Sequence, residues 1–347
     1  MLLTALVAGA IALRAQQAPS EIEVQTLRYA SPGGTDLVLD LYRPPNPSRR
    51  PMPVIVFLHG GGWSGGTRTT GPDFRRYFAS AGFAMASLEY RLTPAVTFPA
   101  NVEDVRTAVR WLKANGPAQQ LDPERICLWG TSAGGHLAAV AALAPRGTFE
   151  GSENLDRTSD VRCVLDAYGP TKFDVMDEQA EQEKASLQTA VITIAGRGGA
   201  PGGMRSDATP AGPPPAMLHN PATSAESRLV GAAVQTAPER VKAASPLTYV
   251  RADAPPFLIM HGLADNSVPH GQSVLLYEAL AAAGSDVTLR LVDGLPHTFF
   301  NRTDLDDVAG PFRMDVRQHP RGGAESRRVD RARVFDVARD FFEKHLR

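Results

Sequence analysis

The chain of 347 residues is poor in cysteine, with only Cys127 and Cys163. Two cysteines without a Cys or His partner at ligand spacing exclude a zinc-finger-like site and a disulfide-rich scaffold. Each lies in an apolar run, so both read as buried apolar filler, with a disulfide between neighbouring strands as the alternative. An excess of charge of one sign is also missing. With 36 basic and 37 acidic residues and no long run of either, bulk charge gives the chain no pull toward nucleic acid or an anionic membrane. Long hydrophobic runs are absent too. The apolar stretch Leu2 to Leu13 is too short to span a bilayer as a helix, so no stable membrane insertion is expected. It is followed by Arg14-Ala15-Gln16-Gln17-Ala18, which resembles the end of a signal peptide, although a positive n-region is lacking. Residues 1–18 are therefore read as a signal peptide and a secreted or periplasmic protein is expected, with a cytoplasmic one as the alternative.

What is present is an alternation of strand and helix signals, read as one domain over 19–347. Ile22 to Ala30 and Leu37 to Tyr42 flank the turn cluster Ser31-Pro32-Gly33-Gly34 and predict an opening hairpin. Val54 to Leu58, Phe83 to Leu88, Arg125 to Trp129, Val161 to Ala167, Phe257 to Met260 and Val287 to Val292 predict buried strands. Between and after them, Asp73 to Ala81, Asn101 to Asn115, His136 to Ala144, Val268 to Ala283 and Val329 to Leu346 predict helices. Such alternation implies an α/β fold, a mostly parallel central sheet with helices on both faces. Two segments interrupt it. Residues 178–244 contain a Gly/Pro-rich loop at 196–216 and read as a small inserted cap. Asp304 to Ser326 shows no clear period.

The chemistry centres on Gly130-Thr131-Ser132-Ala133-Gly134, between a strand signal and a helix signal. In that context a serine occupies a strained turn with its hydroxyl exposed above the sheet, so Ser132 is the candidate nucleophile. His59-Gly60-Gly61-Gly62-Trp63 follows another predicted strand. Glycines there let backbone amides approach a ligand, so Gly61, Gly62 and Ala133 are the expected oxyanion donors. His59 reads as an anchor of that loop. Of eight histidines, His297 follows the last predicted strand through a tight loop and is the expected base. Asp265, in the turn after Phe257 to Met260, is the expected orienting acid, with Asp293 as competitor. His136 is expected to pack, and His261, His270, His319 and His345 read as surface, loop or structural residues. Trp63, Tyr90 and Tyr168 are candidates for lining a substrate pocket, with ordinary packing as the equal alternative. Glu103 and Asp104 read as a charged helix face. No metal or organic cofactor is called for.

These motifs together resemble the α/β-hydrolase esterases of the bacterial group that includes feruloyl and acetyl-xylan esterase-like enzymes, and more distantly the hormone-sensitive-lipase group. The matching segments are HGGGW at 59–63, EYRL at 89–92, FPANVEDVRTAVRWL at 98–112, GTSAGGHLA at 130–138, YGP at 168–170, ASPLTYV at 244–250, HGLADNSVP at 261–269 and GLPHTFF at 294–300. The resemblance implies a serine carboxylesterase acting through an acyl-enzyme on small, aromatic or carbohydrate-linked esters, with no nucleic-acid partner. Thr131 departs from the lipase group, which usually has an acidic residue there. An arylformamidase-like amide hydrolase would use the same machinery, a prolyl-oligopeptidase-type peptidase would bring a large β-propeller, and a catalytically dead binding protein would lack one of these parts.

Overall fold

The computed structural model describes residues 22–44, 51–185 and 218–347. The expected signal peptide and the loop at 196–216 lie outside them. The chain opens with the antiparallel pair β1 (Glu23–Ala30) and β2 (Leu37–Arg43). β3 (Met52–Leu58) is buried along its whole length, as a strand covered on both faces must be. It lies parallel between β4 (Ala84–Leu88) and β5 (Leu121–Thr131). β6 (Val164–Ala167), β7 (Phe257–Gly262) and β8 (Val287–Val292) continue the parallel array. With β9 (Phe312–His319) and β10 (Ser326–Ala332) at one edge, the described strands form one ten-stranded sheet in the order β1-β2-β4-β3-β5-β6-β7-β8-β9-β10. This is an α/β-hydrolase fold.

Period-two alternation divides the core. Val54, Val56 and Leu58 face one side with Val105 and Leu112 of α2 (Ala100–Asn115), Leu137 of α3 (Ala133–Leu143) and Leu276 of α7 (Gly271–Ala282). Ile55 and Phe57 face the other, with Phe74 of α1 (Phe74–Tyr77) and Phe342 of α9 (Val334–Leu346). Residues 176–185 form α4, and α5 (Ala225–Val230) and α6 (Pro238–Ala244) complete the described part of the insertion.

Three expectations are corrected. The stretch without a clear period holds a short helix, α8 (Leu305–Val308), and then β9 (Phe312–His319), with β10 (Ser326–Ala332) following, an antiparallel pair at the sheet edge. Phe312, Met314 and Val316 alternate with Arg313, Asp315 and Arg317, while β10 is largely exposed and charged, so the helix expected from Val329 begins at Val334. Cys127 and Cys163 are joined in a disulfide. Leu128 pairs with Val164 across β5 and β6, so the preceding cysteines are brought side by side, with Cα atoms 4.8 Å apart. Finally, Asp104 is buried and pairs with Arg91, accepting from its guanidinium at 2.7 Å and from its backbone amide at 2.8 Å. It belongs to the interior and not to a solvated helix face.

Candidate active site

Ser132 stands at the junction of β5 and α3 with φ 55° and ψ −122°, a backbone region that costs roughly 1–3 kcal/mol for a side-chain-bearing residue. The surroundings hold it there. The Ser132 amide donates to the Ala167 carbonyl at 2.8 Å, and the His136 amide donates to the Ser132 carbonyl at 3.1 Å. A Cβ at Gly130 would lie 2.0 Å from the Gly134 carbonyl oxygen, and one at Gly134 would lie 2.1 Å from that of Leu58. Two residues to either side of the serine, at Gly130 and Gly134, only bare backbone fits. Its hydroxyl makes no capping bond to α3 and is left for another partner.

That partner is His297. Its Nε2 lies 2.9 Å from Ser132 Oγ, and its Nδ1 lies 2.6 Å from Asp265 Oδ2. The histidine comes from the loop after β8 and the aspartate from the turn after β7, both at the carboxyl ends of parallel strands where an open sheet places its ligands. Asp293, the competing acid, is not the one at the ring. Asp265 Oδ1 accepts from the amides of Ser267 and Val268 at 2.8 and 2.9 Å. Burial pushes this carboxyl up, but hydrogen bonds from His261 and His297 outweigh it and hold the carboxyl well below the usual carboxylate range. The Asp265 side chain is 1% exposed and that of His297 14%, so the acid is sealed while the base remains reachable.

The glycine loop approaches from β3. Gly61 and Gly62 have φ of 116° and 57°, and a Cβ at Gly61 would lie 2.3 Å from the Gly65 carbonyl oxygen, so glycine is required. Among the described residues, the Gly61, Gly62 and Ala133 amides donate to no acceptor. Ala133 opens α3, whose first amides have no acceptor within the helix and carry its positive dipole end. His59 anchors the loop as expected: its carbonyl accepts from the Tyr90 hydroxyl at 2.7 Å and its ring stacks on Tyr90 at 4.3 Å.

The three aromatic residues considered for the substrate pocket pack behind the site. Trp63, Tyr90 and Tyr168 are buried. Trp63 Nε1 donates to His136 Nδ1 at 3.2 Å, and His136 Nε2 lies 2.7 Å from the Ala244 carbonyl, which fixes the imidazole tautomer. Burial holds His136 down at about 4, so it stays neutral. The Tyr168 ring lies 4.9 Å from that of His297, edge to face. The insertion reaches the site through α5, where Ala225 Cβ would be 3.1 Å from a Cβ at Gly62. Sequence reading assigned His261 no part here, yet its Nε2 is 3.1 Å from Asp265 Oδ2. The spacing of four residues in HGLAD was the available sign. Among the described residues, no cluster of three or more His, Cys, Asp or Glu could hold a metal ion, and no helix is long and apolar enough to cross a membrane.

The chain matches the BD-FAE family over residues 39–198 and 206–280. It is 30% identical over 259 residues to esterase LipQ of Mycobacterium tuberculosis, covering 73% of this chain and 52% of that protein. Carboxylesterase NlhH from the same species is 40% identical over 126 residues, 36% of this chain and 39% of its own. The chain thus spans about half or less of the curated relatives it matches. Among solved structures, propionate-bound esterase Est2 of Thermogutta terrifontis superposes with a TM-score of 0.57 at 27% identity, over 84% of this chain and 89% of its own. A truncated carbohydrate esterase from gut microbiota has a TM-score of 0.67 at 24% identity, covering 95% and 98% of the two chains, and shows the same fold. The chain belongs to the BD-FAE family of α/β-hydrolase esterases.

Proposed function

We propose that this protein is a serine carboxylesterase in which Ser132 is the nucleophile, His297 the general base and Asp265 the acid that orients it. The relay from Ser132 Oγ through His297 to Asp265, with contacts of 2.9 and 2.6 Å, carries this reading. As Ser132 Oγ forms its bond to an ester carbonyl carbon, His297 Nε2 takes the hydroxyl proton. The ring already directs Nδ1 at Asp265, so the carboxylate stabilises the imidazolium that forms. The carbonyl oxygen becomes an oxyanion, received by the Gly61, Gly62 and Ala133 amides, each such donor lowering the barrier by about 2.7–4 kcal/mol. His297 then returns the proton to the leaving alcohol. Water repeats the sequence on the acyl-enzyme and frees the acid.

The substrates proposed are esters of small acids, as the propionate bound to the Thermogutta relative suggests, or of acids attached to carbohydrate. Export is proposed as well, supported by the Cys127–Cys163 disulfide, which suits an oxidising compartment. Hydrolysis of p-nitrophenyl acetate tests the central reading. Ser132→Ala should abolish turnover with the far-UV circular dichroism spectrum unchanged. Retained turnover would remove Ser132 from the nucleophile role, and turnover of a formamide in preference to every ester would move the activity to amide hydrolysis.

A further inference from the structure

His261 is the penultimate residue of β7, fully buried, in a strand otherwise apolar up to its final glycine. A buried imidazole destabilises the fold unless both ring nitrogens are satisfied. Here both are. Nε2 lies 2.9 Å from the Val268 carbonyl oxygen, which can only accept, so the proton resides on Nε2. Nδ1 lies 2.7 Å from Ser273 Oγ on α7, whose hydroxyl donates to it in the neutral ring. The same Nε2 is 3.1 Å from Asp265 Oδ2, so one N–H touches both ends of the turn from Asp265 to Val268. With the amides of Ser267 and Val268 on Oδ1 and His297 Nδ1 on Oδ2, the carboxylate has four donors around it. The titratable groups facing His261 are Asp265 from its own loop and Tyr168 from the loop after β6, its ring 6.4 Å away.

We infer that His261 is a positioning residue for the active site: held in one tautomer by Ser273 and Val268, it fixes the Asp265 carboxylate at the angle from which Oδ2 meets His297. This rests on the triad reading above. The imidazole does not contact the reacting serine and acts through the acid. Misplacing the acid would misdirect His297 Nε2, and small misplacements of a catalytic group are costly in rate.

The test measures kcat per active site titrated with a fluorophosphonate, and KM for p-nitrophenyl acetate, in His261→Leu, His261→Gln and Ser273→Ala, with Ser132→Ala assayed for turnover per mole of protein. The Gln amide places an N–H near the lost Nε2 position, so it serves as the conservative rescue. We expect His261→Leu to lower kcat per titrated site about tenfold with KM little changed, His261→Gln to recover most of the loss, and Ser273→Ala to fall between wild type and His261→Leu. A purely structural role would reduce the titratable fraction and leave kcat per site at the wild-type value, and that result overturns the inference. If His261→Leu does not fold, Ser273→Ala decides: wild-type kcat per site overturns the inference and a lowered one supports it. Turnover by Ser132→Ala would overturn the triad reading itself. A dead Ser132→Ala beside fully active His261 and Ser273 variants would overturn the positioning role alone.

Discussion

Two buried carboxyl groups, one in β6 and one in the turn after the neighbouring β7, have opposite environments. Asp265, after β7, has two backbone amides and two imidazoles around it and is held ionised. Asp166, in β6, is 1% exposed, and its Oδ1 accepts from the Gly169 amide at 3.0 Å. Burial pushes the Asp166 carboxyl up to about 7. It lies beneath Gly135 and Gly169, where a Cβ would come within 2.3 and 2.4 Å of Oδ1. The contrast shows that depth alone does not set a carboxyl's charge. The number of donors facing it does.

Converting each aspartate to its uncharged isostere tests that contrast, and the largest effect belongs to Asp265. Asp265→Asn should lower kcat for p-nitrophenyl acetate by about 10⁴-fold, because the amide favours the wrong imidazole tautomer. A loss of less than tenfold would mean that the charge of Asp265 matters little. Asp166→Asn should act on stability instead. The folded value of Asp166 is above its unfolded one, so its contribution is complete below the unfolded value and is lost as pH rises through about 7. At pH 8 the asparagine variant should therefore be more stable than wild type by up to about 4 kcal/mol in urea denaturation, and near pH 4 the two should coincide. Equal stabilities at pH 8 would place Asp166 among ordinary carboxylates.

Further down β5, the disulfide Cys127–Cys163 ties this strand to the segment that leads into β6. Replacing both cysteines by alanine should cost about 2–4 kcal/mol, seen as a fall in Tm that reductant does not deepen. The smallest effect is a slope. The folded value of His136 is depressed to about 4, so its contribution is present above the unfolded histidine value and is lost as pH falls toward 4. Between those limits the Asp166 contribution runs the other way, and the two cancel. In Asp166→Asn the slope of His136 should emerge, a loss of stability of about 1 kcal/mol per pH unit on acidification. A variant with a flat profile over that window would show that His136 does not titrate as a buried group.

The positions of Ser132, Asp265, His297 and the glycine loop were legible because each is marked by local chemistry: a turn that only glycine permits, or a strand end followed by a polar residue. The parallel strands were legible because each carries a run of mostly apolar residues, uninterrupted in Val54 to Leu58 of β3. Other features had weaker marks. β10 carries Arg327, Arg328, Asp330 and Arg331 and few apolar residues, so it has almost no pattern to read as an edge strand. The disulfide and the Arg91–Asp104 pair depend on which segments become neighbours, which spacing along one chain does not specify. His261 read as a surface, loop or structural residue until the packing of α7 beside β7 set Ser273 and Asp265 on either side of it.

The close packing around the serine also bears on how such an enzyme can diversify. A methyl group at Gly130, Gly134 or Gly135 would overlap backbone or the Asp166 carboxylate, so the segment bearing Ser132 tolerates almost no variation in size at these positions. The insertion meets the same region under looser constraint, with Ala225 Cβ 3.1 Å from where a Cβ at Gly62 would lie. Substitutions in α5 and its flanks would alter the surroundings of the glycine loop while leaving the packing around Ser132 untouched.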